Sequence, residues 1–467
     1  MGTAQDPIGA STDGATAMSP RAGQRAFPLL AAGFVLLLVI TAHGSVAIEH
    51  EAIERYVWLA IAHGGVYAAC AAAVLKWRPG ARALAFIIVA GVVLRGIAMT
   101  APENLSTDVY RYIWDGNLQL EGVSPYAHVP ADPQLERFRD FTHYDYINQK
   151  ETAHTIYPPV AQMVFLAAAW LGDEIESVKL VMVAFEGLTV LALLAWLRAK
   201  RLPRERVLIY LWHPLPIWEL ASQAHVDAAL AAFVTLAVLA ATLGRQGLAG
   251  AAIAAAALVK YFPLAVVPAL WRRFDWRMPA AMAATAAVLY LPYISVPHSL
   301  GGTGRQLVGN LPGHLDAEGY VEGYGFHLVW LLDTLDLPSP DGRTYVAMAL
   351  SVLAGLGLVT LLKRGRDEIH PGYLLALACA LVWLASPHYP WYFAWIVPML
   401  VLAPHPAALA LTVMAAALQL PRPDGGTWTL TDIYLLVYWL PALSALALLI
   451  WKMCSEKAGQ PASRMIT

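Results

Sequence analysis

Within eleven positions the segment Ser106-Thr107-Asp108-Val109-Tyr110-Arg111-Tyr112-Ile113-Trp114-Asp115-Gly116 carries two carboxylates, a guanidinium and three large aromatic rings, a few residues after an apolar run. A helix from about Asp108 to Glu121 is expected, with Ser106, Thr107 or Asp108 as N-cap candidates and Gly122 as the stop. At about 100° per residue, Asp108, Arg111, Tyr112 and Asp115 share one face. Arg111 and Asp115 stand at i, i+4 and read as a structural ion pair. Asp108 is left at the helix start, where it either caps the helix or serves as a base. One placed carboxylate is enough to take a proton from a hydroxyl.

Other residues stand out by type. Lys260, in Lys260-Tyr261-Phe262-Pro263, interrupts a hydrophobic segment. A cation there costs on the order of 3 kcal/mol on insertion scales, so it is either functional or a lysine snorkelling from a helix end. His225 and Asp227 are at i, i+2 and do not share a helical face. They form a loop-borne pair lining a cavity, or Asp227 is a cap. His388 and Tyr389 lie in Pro387-His388-Tyr389-Pro390, ahead of Trp391 and Tyr392, and read as a polar contact or as an aromatic belt. Nothing has metal-ligand spacing, so no cofactor is expected and a divalent cation has no support. Gly301-Gly302-Thr303-Gly304 lacks the lysine and the strand–helix context of a phosphate loop. Cys70, Cys379 and Cys454 supply no disulfide framework.

The elements that must position these groups are hydrophobic helices. Only 14% of the 467 residues are charged, against roughly 25% in soluble domains, and 58% are hydrophobic. Mean hydropathy is +0.53. Apolar runs approaching the ~20 residues of a bilayer span recur from Phe27 to Trp451. The fold class is therefore an all-α polytopic membrane protein with about 12–14 transmembrane helices. Clusters such as Lys76–Arg82, Arg198–Arg206, Arg272–Arg277 and Lys363–Arg366, with the two termini, hold most of the cations and few of the anions. Positive loops stay cytoplasmic, which puts residues 101–177 outside. The run Val160–Leu171 is too short to cross and reads as interfacial, so 101–177 folds back on the membrane through short juxtamembrane helices. Phe27–Ile40 reads as a retained signal anchor. Residues 247–271, with cations on both flanks, read as two short helices broken near Lys260.

The string around Asp108, with Gly122 and Pro125-Tyr126, resembles the first outer loop of the GT-C superfamily of membrane glycosyltransferases. It is most similar to bacterial polyprenyl-phosphate-mannose-dependent mannosyltransferases. Further matches follow in the family's order: Ile156-Tyr157-Pro158-Pro159, Trp212-His213-Pro214-Leu215, His225-Val226-Asp227, Lys260-Tyr261-Phe262-Pro263, and Ser386-Pro387-His388-Tyr389-Pro390-Trp391-Tyr392. They cover most of the chain from about residue 83, although there is no literal Asp-x-Asp in the first outer loop. The resemblance implies a catalytic base at Asp108, a polyprenyl-phosphate sugar donor and a multi-pass inner-membrane enzyme whose site faces the extracytoplasmic side. It favours mannose as the sugar. A lipid-phosphate sugar already carries its leaving group, so direct inverting attack needs one base and no carboxylate nucleophile. The departing phosphate needs cationic or hydrogen-bonding partners, for which Lys260, Arg305, His388 and Arg111 are candidates. Tyr112, Asp115, Tyr157, His225, Asp227 and Tyr389 complete the expected substrate-binding set.

The expected organisation is a tail (1–26), N-terminal spans (27–100), the extracytoplasmic catalytic loop (101–177), a transmembrane core (178–296), a second outer loop (297–342), C-terminal spans (343–451) and a cytoplasmic tail (452–467). The partners are the donor lipid, a lipid, glycan or protein acceptor, and the bilayer, with no nucleic acid. The rival is a transporter or flippase of lipid-linked sugars, which would place ionisable groups at the bilayer midplane and often shows repeated halves. An O-antigen polymerase or ligase is a third alternative.

Overall fold

The computed structural model describes residues 20–139, 143–295, 319–363, 365, 369–421 and 428–457, and every regular element among them is helical. The chain opens with α1 (Pro20–Glu49), α2 (Ile53–Trp77) and α3 (Ala81–Ala98), all long and apolar enough to cross a bilayer. An irregular segment containing α4 (Asp108–Leu120) and α5 (Pro159–Ala169) follows, and α6 (Ile175–Ala199) returns through the apolar layer. Next come α7 (Leu208–Leu211), a π-helical turn over Pro216–Ser222, α8 (Asp227–Thr242), α9 (Gln246–Ala257), α10 (Val267–Leu270) and α11 (Arg277–Ser295). Gly342–Lys363 and Leu430–Trp451 are the remaining helices of full crossing length.

The protein is thus a polytopic all-α membrane protein with six full-length candidate spans among the described residues, or seven if the bent pair Pro216–Ser222 and α8 counts as one. That is fewer uninterrupted spans than the 12–14 the hydrophobic runs suggest. Proline is one cause. Pro371–Ala385, Pro390–Leu402 and Pro406–Gln419 each open on a proline, which lacks the N–H needed to continue a preceding helix. The first of these, 15 residues long, reaches only about 22 Å of a roughly 30 Å hydrocarbon layer.

Charge is distributed along the bundle axis. At one end Gly80 N–H donates to the Glu205 carboxylate, joining the two loops that carry Lys76–Arg82 and Arg198–Arg206. At the other end Lys179 of α6 donates to the carbonyls of Met99 (3.1 Å) and Ala101 (2.7 Å), satisfying orphan acceptors at the end of α3. Between them Arg95 and Glu186 pair at 2.6 Å, and Arg95 also donates to Leu211 O at 2.7 Å. A buried pair so fully bonded pins α3, α6 and α7 together. The residues after Ala101, including Glu103 and Asp108, belong to the end opposite the basic loops.

Two short helices build that end. α4 follows the expected helix closely and stops at Gly122, whose φ of +74° is the left-handed conformation glycine adopts without cost. Val123 N–H reaches back to Leu118 O at 2.9 Å. α5, at 11 residues, is about 16 Å long and too short to cross. It lies directly on α4 because Gly116 removes the side chain between them: a Cβ at Gly116 would sit 2.5 Å from Phe165 O. Tyr112 stacks on Phe165 (4.3 Å between centroids, 10° between planes). The amides of Val160 and Ala161 donate to Leu258 O, which ties the start of α5 to the end of α9. The break after α9 falls where the sequence places it, so Lys260 stands on irregular backbone beside Tyr157.

Candidate active site

Two cavities meet at this end of the bundle. The first is a polar cleft of about 730 Å³ whose wall includes Glu51, Glu103, Asp108, Arg111 and His154. The second is an apolar groove of about 760 Å³ formed largely by Val259, Phe262, Val321, Phe326, Val346 and Leu381. Ile156, Tyr157, Lys260, Tyr389 and Tyr392 line both. A further apolar pocket of about 510 Å³ continues past Tyr261, Phe262 and Leu381 along the helix Gly342–Lys363.

Asp108 lies in the cleft at the first turn of α4. Its Oδ2 accepts from the Tyr157 hydroxyl at 3.1 Å and from the Tyr112 hydroxyl at 3.4 Å. Burial first, and then the Asp108 charge, push both phenols well above their ordinary value, so both stay protonated and donate. Ser106 Oγ accepts from Asp108 N–H, and the Thr107 side chain makes no cap hydrogen bond. The carboxylate side chain is 29% exposed, open to a ligand yet held from behind.

Lys260 stands on the shared wall. Its ammonium pairs with Asp227 Oδ2 at 2.6 Å and lies 4.3 Å from the centroid of the Tyr392 ring. Asp227, first residue of α8, is fully buried, as is His225 just before it. Neither lines the cleft, and they sit behind its wall on different faces. His225 Nδ1 is 3.9 Å from Asp108 Oδ2, and Nε2 is 3.6 Å from Glu219 Oε2.

The other expected site residues divide between the two cavities and the layer behind them. Arg111 lines the cleft, donates to Asp115 Oδ1 at 2.8 Å and to Ala153 O at 3.1 Å. Asp115 lies fully buried behind the wall, where Gln162 Nε2 also donates to it at 2.9 Å. His388 lines the apolar groove, and its Nε2–H donates to Gly325 O at 2.8 Å. Tyr389 faces both cavities and stacks on Trp391 (4.7 Å, 15°). Arg305 lies outside the described residues. Sequence reasoning passed over Glu219, although an acid within an otherwise apolar run is a signal in itself. Among the described residues no cluster of three or more His, Cys, Asp or Glu side chains could hold a metal ion.

A carboxylate held by two phenol hydroxyls in a polar cleft, next to an apolar groove in a membrane protein, suits an enzyme that joins a polar substrate to a lipid-borne one. The chain matches the family model of glycosyltransferase family 87 over residues 155–387, about half its length. It belongs to that GT-C-type family of membrane glycosyltransferases. The match includes Tyr157, Glu219, His225, Asp227 and Lys260, while Asp108 and His388 flank it. No curated protein and no solved structure matches the chain.

Proposed function

We propose that this glycosyltransferase moves a sugar from a polyprenyl-phosphate donor to an acceptor hydroxyl, with inversion, at the extracytoplasmic surface of the inner membrane. Asp108 acts as the general base. The donor lipid lies in the apolar groove, its phosphate reaches Lys260 at the shared wall, and the acceptor enters the polar cleft. The acceptor oxygen forms the new bond to the anomeric carbon while Asp108 takes its proton. The electron pair of the sugar–phosphate bond leaves with the polyprenyl phosphate. No carboxylate nucleophile is needed, since the displacement is direct. The Tyr112 and Tyr157 hydroxyls orient the base, and mannose is the favoured sugar by resemblance.

The observation carrying this reading is that the Asp108 cleft and the apolar groove share a wall containing Lys260, which brings a base, a cation and a lipid-sized channel together. Its test is Asp108→Asn, assayed with a panel of radiolabelled polyprenyl-phosphate sugars and a membrane extract as acceptor. Release of free polyprenyl phosphate should fall about 10²–10⁴-fold, the usual contribution of a general base. Donor binding should persist. Turnover above a tenth of wild type would overturn the assignment.

A further inference from the structure

Beneath Asp108 the protein buries a histidine and a glutamate whose facing atoms lack hydrogen bonds. Both ring nitrogens of His225 and Oε2 of Glu219 have no hydrogen-bond partner. A buried polar atom left this way is uncommon and calls for an explanation. The ring is fixed in plane by stacking on Trp391, with centroids 3.8 Å apart and 19° between planes. Its two nitrogens each lie near a different carboxylate, Nδ1 3.9 Å from Asp108 Oδ2 and Nε2 3.6 Å from Glu219 Oε2. Each gap exceeds hydrogen-bond length by less than about 1 Å. Such contacts commonly tighten when substrate binds.

The backbone is distorted to create this placement. The π-helical turn Pro216–Ser222 carries Glu219, and the chain then bends by 118° into α8. At the bend Ala224, fully buried, takes a φ of +58°, a conformation that residues with a Cβ seldom adopt. His225 N–H donates to Glu219 O at 3.1 Å, closing the bend. π-turns and left-handed non-glycine residues concentrate at functional sites. Among the neighbouring groups, Tyr112 and Tyr157 donate to Asp108, Lys260 pairs with Asp227, and Gln419 lies beside Glu219.

A neutral imidazole has one N–H and one acceptor nitrogen, so it can donate to only one of two facing carboxylates. The arrangement is satisfied when His225 and Glu219 together hold two protons. We propose that His225 and Glu219 are positioning residues for the base: His225 Nδ1–H holds Asp108 Oδ2, and a proton shared by His225 Nε2 and Glu219 Oε2 keeps Nδ1 protonated. The inference rests on Asp108 being the base. In the reaction His225 and Glu219 retain their protons. The acceptor proton passes to Asp108 alone, and the bond electrons leave with the phosphate.

His225→Phe keeps the stack on Trp391 and removes both nitrogens, and Glu219→Leu removes the partner of Nε2. Each should lower kcat about 10–100-fold, the range for losing a group that orients a functional side chain. KM for the polyprenyl-phosphate sugar should stay within threefold. Glu219→Gln, which can still donate to Nε2, should be at least fivefold faster than Glu219→Leu. A His225→Phe enzyme with kcat within threefold of wild type overturns the proposal. So does a Glu219→Gln enzyme as slow as Glu219→Leu, or one that does not fold, because the proposed role needs only a donor there. If His225→Phe itself fails to fold, by size-exclusion and thermal unfolding in detergent, the Gln–Leu comparison decides. Asp108→Asn is measured alongside. Its survival removes the base reading and this inference with it, whereas an inactive Asp108→Asn beside a normal His225→Phe removes only this inference.

Discussion

Replacing Lys260 tests whether the cation on the shared wall is structural, phosphate-binding or both. Lys260→Met keeps the length and apolar stem of the side chain and removes the charge. The immediate effect is on Asp227, fully buried and paired to Lys260 at 2.6 Å. Removing one member of a buried ion pair costs about 3–5 kcal/mol, because the other is left as an uncompensated buried charge. The double variant Lys260→Met with Asp227→Asn removes that charge, so most of the lost stability should return. Donor affinity should not return. A hydrogen bond to a charged group is worth about 1.5–3 kcal/mol, which predicts a roughly 10–100-fold weaker Kd for the polyprenyl-phosphate sugar in the single and double variants alike. Thermal unfolding in detergent measures the first quantity, and titration of the radiolabelled donor the second. A double variant that is stable and binds donor like wild type would refute the phosphate role and leave Lys260 as the counterion of Asp227.

Gly116→Ala should destabilise the protein by about 1–3 kcal/mol in thermal unfolding, since the added Cβ meets the backbone of Phe165 and must push α5 off α4. Asp115→Ala should cost stability through Arg111, which loses its 2.8 Å ion pair, and should leave the donor Kd within threefold. Burial first, and then the Arg111 charge, hold His154 below its ordinary pKa, so the folded protein favours the neutral ring. Its stability contribution is therefore full above about pH 6.5 and declines as pH falls from there towards the lowered folded value. His154→Gln should flatten that part of the stability–pH curve, and an unchanged curve would count against the effect. Cysteines introduced at 106 and 173 should react with a membrane-impermeant thiol reagent in intact cells and one at 202 should not. Labelling at 202 with protection at 173 would overturn the re-entrant assignment of 158–171.

The sequence by itself determined the membrane class, the helix after Thr107 with its glycine stop, the Arg111–Asp115 pair and the break at Lys260. Each is local: hydrophobic run length, i, i+4 spacing, and the backbone preferences of glycine and proline act over a turn or two of chain. Hydrophobic runs alone did not separate unbroken helices from those interrupted by a π-turn or shortened by irregular backbone, because apolar composition does not record where a helix breaks. Tertiary structure decided which side chains meet. Lys260 pairs with Asp227 across 33 positions, and Tyr157 reaches Asp108 across 49. The Arg95–Glu186 pin and the approach of His225 to Asp108 likewise join elements far apart in the chain. Tyr157 and Asp108 meet because Gly116 admits Phe165 and Leu258 holds the start of α5. His225 faces Asp108 because the chain bends at Ala224. The physical reason is that a polar group buried in an apolar bundle must find its partner wherever packing brings one, and sequence spacing does not record that.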